Sequence, residues 1–251
     1  MQIAQISDTH ILAESSHRPE AGPRAEDLRR CIADINCLDP APDLVIHTGD
    51  TVQTGAPADY AHLRKLLAPL RMPVYLAPGN RDDRANFRAA FEPAAADGIF
   101  LQYTVEEFPV RLVALDSIDP AHNQGVYCAD RQRWLDACLS AAPGRPTILF
   151  IHHPPFDVGQ HYIDGYRDPA DRAALAAIVA RHRQVRRLLC GHCHRSSQRI
   201  WADTQATTMP SVARDLREGI DAQRLAGTPL YQLHALSDDG EVATQTRLVL
   251  D

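Results

Sequence analysis

Short apolar runs recur along this chain and alternate with stretches of helical spacing. "IAQIS" (3–7), "DLVIHTG" (43–49), "PVYLA" (73–77), "RLVALD" (111–116), "TILFIHH" (147–153) and "VRRLLC" (185–190) are short and mostly apolar, which predicts buried strands. Between them Leu28, Cys31, Ile32, Ile35 and Leu38 fall at helical spacing. "DRQRWLDACLSAA" from Asp130 and "DPADRAALAAIVARHR" from Asp168 predict two further helices. Each opens on an Asp N-cap, and the second places Pro169 at its first helical position. Alternation of this kind predicts an α/β fold. Toward the C-terminus the pattern becomes "RIWADTQATTM" and "PLYQLHALSDDGEVATQTRLVL", which predicts consecutive strands with a turn at 238–240. Residues 199–251 are therefore expected to supply strands of a second sheet stacked on the first. No repeat or low-complexity linker interrupts the chain, and its 251 residues fit one large domain spanning 1–251.

Polar residues punctuate the ends of these strands. "LAPGNRDD" (76–83) has the composition of an ordinary turn, because Gly and Asn tolerate positive φ and Pro presets a bend. It begins, however, where a buried strand ends, so Asn80 is also placed to be a metal ligand. Asp8 and His10 follow the first strand at a spacing of two, which lets both project to one side of an extended backbone. Asp50 ends the second strand, His152 the fifth, and His192 and His194 the sixth. Singly these are commonplace; jointly they are evidence, because open α/β sheets gather their sites at the carboxyl ends of strands. Carboxylate, amide and imidazole donors without a thiolate suit Mn, Fe, Co or Zn. The set exceeds one tetrahedral zinc and matches two divalent ions that share a carboxylate and keep positions open for water and substrate.

Composition narrows the partners. Against 26 Lys and Arg stand 32 Asp and Glu, a net charge of −6, so stable nucleic-acid binding through phosphates is not expected. The six cysteines lack disulfide or zinc-finger spacing, which fits reduced thiols in a cytoplasmic protein. No apolar run approaches the ~18 residues of a membrane span, and "MQIAQISDTH" has no charged leader or cleavage site.

The motifs ISDTH, GD, PGNRDD, FIHHPP and CGHCH, in that order over residues 1–210, resemble the calcineurin-like metallophosphoesterases. Within that family they are most similar to bacterial class III cyclic nucleotide phosphodiesterases and related glycerophosphodiesterases. The resemblance implies a four-layer αββα sandwich and a binuclear site bridged by Asp50. Asp8, His10 and His194 then complete one metal's set, and Asn80, His152 and His192 the other's. It also implies hydrolysis of a small phosphodiester by metal-bound hydroxide, with Asp50, Asn80 and Arg81 as catalytic residues. Arg81 departs from the commoner His of this motif and is similar to the "GNRD" of lipid A pathway pyrophosphohydrolases. A guanidinium grips phosphate but is too basic to act as a general acid, so a departing alkoxide needs its proton from water or another histidine. The alternative for Arg81 is a solvated charge paired with Asp82 or Asp83.

Other side chains carry simpler expectations. His153, His161 and Tyr162 are candidates to touch substrate alongside Arg81, and His17 lies in a loop that would rim the same face. His153 also fits a role behind the ligands. His47, Trp134 and Trp201 are expected in the core, and Cys193 is expected to turn its thiol away from the ligands flanking it. Strands after residue 199 offer edges for pairing between subunits, which predicts a homodimer. Competing functions are a phosphomonoesterase or pyrophosphohydrolase of the same fold, a DNA-repair type nuclease, and a non-catalytic binding module.

Overall fold

The computed structural model describes residues 1–91, 98–159, 165–225, 227–237 and 240–250. Its elements run β1 (Gln2–Ile6), α1 (Ala21–Asn36), β2 (Leu44–His47), α2 (Pro57–Leu67), β3 (Val74–Leu76), α3 (Arg84–Phe91), β4 (Tyr103–Val105) and β5 (Arg111–Ala114). There follow α4 (Ala129–Ser140), β6 (Thr147–Ile151), α5 (Pro169–Arg181), β7 (Val185–Cys190), β8 (Ser197–Trp201), β9 (Thr204–Thr208), α6 (Gly219–Arg224), β10 (Leu230–Leu236) and β11 (Val242–Leu248). The strands form a five-stranded sheet in the order β11-β10-β1-β2-β3 and a six-stranded sheet in the order β4-β5-β6-β7-β9-β8. β1, β2 and β3 run parallel, as do β5, β6, β7 and β9.

Period-two alternation explains the layering. In the first sheet Ile3, Leu44 and Ile46 pack against Leu112, Ala114, Ile148, Phe150 and Leu189 of the second, forming the core between sheets. Their neighbours Ala4, Ile6 and Val45 point the other way, onto Leu28, Cys31, Ile32 and Ile35 of α1 and Leu63 and Leu66 of α2. On the far side Val113, Leu149, Ile151 and Leu188 meet Leu135 and Leu139 of α4 and Leu175, Ile178 and Val179 of α5. Each buried Leu or Ile contributes about 1.5–3 kcal/mol, which is why both faces of these strands are apolar. The expected four-layer αββα sandwich is the observed fold. Among the described residues no helix is long and apolar enough to cross a membrane.

Two expectations are corrected. The C-terminal strands do not build one second sheet: β8 and β9 extend the sheet of β4 to β7, whereas β10 and β11 pair beside β1. β10 lies antiparallel to β1 with Ile3 opposite His234, a long-range pairing that local pattern does not encode. Asp130 is not an N-cap; Cys128 occupies that position and Asp130 lies in the first turn of α4. Asp168 does cap α5, its side chain accepting from Ala170 N at 2.8 Å with Pro169 beginning the helix. Of the expected turn at 238–240, only Gly240 is among the described residues.

Candidate metal centre

Asp8, His10, Asp50, Asn80, His152, His192 and His194 sit just past the carboxyl ends of β1, β2, β3, β6 and β7, where the two sheets meet. Their convergence owes less to strand alternation than to backbone kinks. Asp8, His10, Asp50, His192 and His194 all adopt left-handed φ, between 45° and 71°. Such a conformation costs an L-residue about 1–2 kcal/mol, and Asp and His are among the residues that tolerate it best. The kinks turn successive side chains to one point, and backbone bonds brace them: Asp8 N to Gly49 O at 3.0 Å and His10 N to Asp50 O at 3.1 Å. Glycine is needed where these loops touch. Gly49 has φ +95°, and a Cβ there would lie 2.6 Å from His152 Nδ1; one on Gly191 would overlap the Ser7 hydroxyl and lie 2.7 Å from Asp8 Oδ2.

The donors fall into two sets that share Asp50. Asp50 Oδ2 lies 3.4 Å from His10 Nε2, which is 3.3 Å from His194 Nε2, itself 3.3 Å from Asp8 Oδ1. On the other side Asp50 Oδ1 lies 3.4 Å from His152 Nε2, which is 3.0 Å from Asn80 Oδ1 and 3.2 Å from His192 Nδ1. Ligand bonds of about 2.0–2.2 Å put neighbouring donors around one ion about 3.0–3.5 Å apart, so both sets fit a cation. Hydrogen bonds fix the rings in the orientation this needs. His152 Nδ1–H donates to Thr48 O at 2.9 Å and His194 Nδ1–H to Leu216 O at 2.9 Å, leaving each Nε2 lone pair facing oxygen acceptors. Acceptors so arranged are stable only around positive charge. Ser7 and the His192 N–H donate to Asp8, and the Arg81 N–H donates to Asp50 Oδ1 at 2.8 Å.

The electrostatics carry the same sign. Burial alone would raise the Asp8 carboxyl, but hydrogen bonding and charge from His194 hold it down at about 2. Burial also works against ionisation of Asp50, yet His152 beside it keeps the carboxyl well below its usual range. Reciprocally, burial pulls His152 down, and Asp50 more than offsets this to raise it to about 9. His10 is lowered to about 4 and His192 to about 3, chiefly by burial. The carboxylates thus favour positive charge between them; His10 and His192 offer neutral imidazoles, while His152 and His194, the latter also raised, against its burial, by Asp8 beside it, would exchange a proton for a bound cation.

Several expected contacts take a different form. His153 lies beside His152 and His192, with donor atoms within 4.8 Å. Both of its ring nitrogens are engaged, Nδ1 by Ser117 Oγ and Nε2 by Asn123 O, each at 2.8 Å. It therefore anchors the 117–125 segment and presents no nitrogen to a substrate. Arg81 is exposed, and among the described residues its guanidinium has no partner, Asp82 and Asp83 included. His161 and Tyr162 lie outside the described residues. His47 is buried and bonds Thr9 Oγ1 at 2.9 Å, and Cys193 packs into the outer core, both as expected. Asp82 escaped the sequence reading: it accepts from Thr51 N, Thr51 Oγ, Gly79 N and Tyr60 OH, tying the Asp50 loop to the Asn80 loop. Its place beside Asn80 in "GNRDD" was the only signal.

A two-sheet α/β sandwich with this donor cluster at its strand ends is the architecture of metallophosphoesterases. Residues 1–196 match the family model "Calcineurin-like phosphoesterase", and the chain belongs to that family. A probable glycerophosphodiester phosphodiesterase of Arcobacter nitrofigilis is 33% identical over 255 residues, covering 99% of this chain and 93% of that protein. A probable cyclic nucleotide phosphodiesterase of Rhodopseudomonas palustris is 36% identical over 205 residues, covering 80% and 74%. Among solved structures, a dimetal phosphatase from Danio rerio superposes with a TM-score of 0.76 at 14% identity, covering 100% and 99%, a likeness of fold alone.

Proposed function

We propose that the chain hydrolyses a small phosphodiester, a cyclic nucleotide or a glycerophosphodiester, with two divalent ions of the Mn, Fe, Co or Zn kind. The carrying observation is Asp50, whose two carboxylate oxygens face separate donor sets. In this reading Asp8, His10 and His194 hold one ion, Asn80, His152 and His192 hold the other, and Asp50 serves both. Bound there, the ions would supply an activated water and neutralise phosphate charge. The protein contributes orientation: Thr48 and Leu216 carbonyls aim the imidazoles, and Asp82 fixes the Asn80 loop against the Asp50 loop. Arg81, exposed beside Asn80, is free to meet a phosphate oxygen and stabilise charge as the alkoxide departs. The names of the two relatives support the diester class. The β8 edge, unpaired among the described residues and carrying Ile200, 74% exposed, supports a homodimer. Six free cysteines support a cytoplasmic place.

The test is a substrate panel on apo protein reconstituted separately with Mn, Fe, Co and Zn. Cyclic and glycerol diesters are expected to turn over fastest. Faster turnover of a pyrophosphate or monoester would replace the diester reading, and a protein that neither binds metal nor hydrolyses anything would be a binding module.

A further inference from the structure

Beside Asn80 opens a polar pocket of about 400 Å³, walled by the loop that carries Asp119, His122, Asn123 and Gln124. The loop is held at both ends. His153 Nε2–H donates to Asn123 O at 2.8 Å, and Arg84 and Arg131 donate to Ile118 O at 2.7 and 2.9 Å. Within it a tight turn pairs Asp119 with His122, and Ala121 N donates to Asp119 Oδ1 at 3.0 Å. His122 Nδ1 lies 2.9 Å from Asp119 Oδ2, and Arg167 Nη1 lies 3.2 Å from the same oxygen and 3.1 Å from His122 Nδ1, so the three groups form one cluster behind the ring. A carboxylate behind Nδ1 fixes the ring and leaves Nε2 as the working atom. Among the described residues His122 Nε2 has no partner, and the side chain is 40% exposed.

We infer that His122 is the general acid for the leaving group, with Asp119 as the residue that positions it. The inference rests on the phosphodiesterase reading and deepens it. Arg81 occupies the position beside the ligand Asn80 but cannot release a proton. His122 borders the same pocket as Asn80 and can. In the step, a water oxygen forms a bond to phosphorus and gives up its proton to solvent. The bond from phosphorus to the leaving oxygen breaks, and its electron pair stays on that oxygen. That oxygen takes the proton from His122 Nε2, and the neutral imidazole regains one from solvent. Substrates whose leaving oxygen is an alkoxide depend on this proton; aryl oxides leave without it.

The test compares methyl nitrophenyl phosphate with glycerophosphodiesters and dialkyl phosphates. General acids typically contribute 10²–10⁴-fold, so H122A is expected to slow alkyl diesters on the order of 10²-fold or more and the aryl diester about 3-fold or less. H122Q, of similar reach, repeats the comparison if H122A folds poorly, and D119N is expected to show a smaller loss of the same selective kind. A second readout does not depend on turnover: the His122 ring resonances, assigned from H122Q, are expected to shift as inorganic phosphate or glycerol 3-phosphate is titrated in. Equal slowing of aryl and alkyl diesters, or ring resonances unmoved at saturating phosphate, overturns the role of His122. A wild type inert toward every diester overturns the phosphodiesterase reading beneath it, and an active wild type whose H122A and H122Q variants turn over alkyl diesters normally overturns this inference alone.

Discussion

Gly49→Ala probes close packing in the centre without removing any donor. Gly49 has φ +95°, and a methyl there meets His152 Nδ1 at 2.6 Å and ring Cγ at 2.8 Å, whereas real Cβ atoms essentially never approach within 3.0 Å. The ring must retreat by 0.4 Å to reach that limit and by 0.8 Å to reach ordinary 3.4 Å contact. Either movement strains the bond from His152 Nδ1 to Thr48 O. Backbone strain of about 1–3 kcal/mol, overpacking of about 1–3 and a weakened hydrogen bond of about 0.5–1.5 total about 2.5–7.5 kcal/mol. For a chain of this length that is a fall in Tm of roughly 5–30 °C. If His152 is a ligand as proposed, displacing its ring by half an ångström or more should also lower turnover by roughly one to two orders of magnitude. Calorimetry and metal titration on Gly49→Ala are compared with Gly144→Ala, whose methyl meets nothing within 4 Å; the control should stay within about 0.5 kcal/mol of wild type. A Gly49→Ala protein that melts with wild type and retains its metals would show that the His152 ring is not pinned where the structure places it.

Asp50→Ala should lose both metals and activity together, and two metals per chain with normal turnover would move the site elsewhere. His192→Ala and His194→Ala should each weaken a different ion, seen as two distinct deficits when metal is titrated back; identical titrations would refute the division into two sets. Arg81→Ala should slow aryl and alkyl diesters by a similar factor, because its charge acts before any question of a proton arises; undiminished rates would return Arg81 to the solvated surface. Asp116 is fully buried, and although burial raises its carboxyl, the bond from Arg84 lowers it below the usual value. Its stabilisation is therefore complete above the unfolded pKa of about 4 and fades as pH falls through the lower folded value. Arg84→Ala should accordingly lose about 3–5 kcal/mol at neutral pH, with the deficit shrinking in acid denaturation scans; a pH-independent deficit would refute the linkage.

What could be read from sequence follows from the range of each interaction. The strands β1, β2, β3, β5, β6 and β7 were legible because burial on both faces makes them continuous apolar runs, and the convergence of the candidate donors was legible because their residue types cluster at the ends of those runs. β4 was missed, being only Tyr103–Val105. The β8–β9 hairpin turns on Ala202 and Asp203, both at positive φ without a glycine or asparagine to signal it. The placement of β10 beside β1 depends on partners more than 200 positions apart, which no local period records. At the site, the spacing of Asp8 and His10 suggested an extended backbone, whereas left-handed kinks do the aiming. The supporting groups Ser117, Asp119, His122 and Asp82 were invisible because each is an unremarkable polar residue in a loop until another segment is folded against it.

The central position of β1 has a consequence for how the protein is made. β1 lies between β2 and β10, and its second edge stays open until residues 230–236 have been synthesised. At ~5–20 residues per second, roughly 10–45 s separate the two strands on the ribosome. Throughout that interval the segment bearing Asp8 and His10 is flanked on one side only, with a row of unpaired amides and carbonyls beside it. The strand that leads into Asp8 and His10 therefore gains its second neighbour only when one of the last strands arrives.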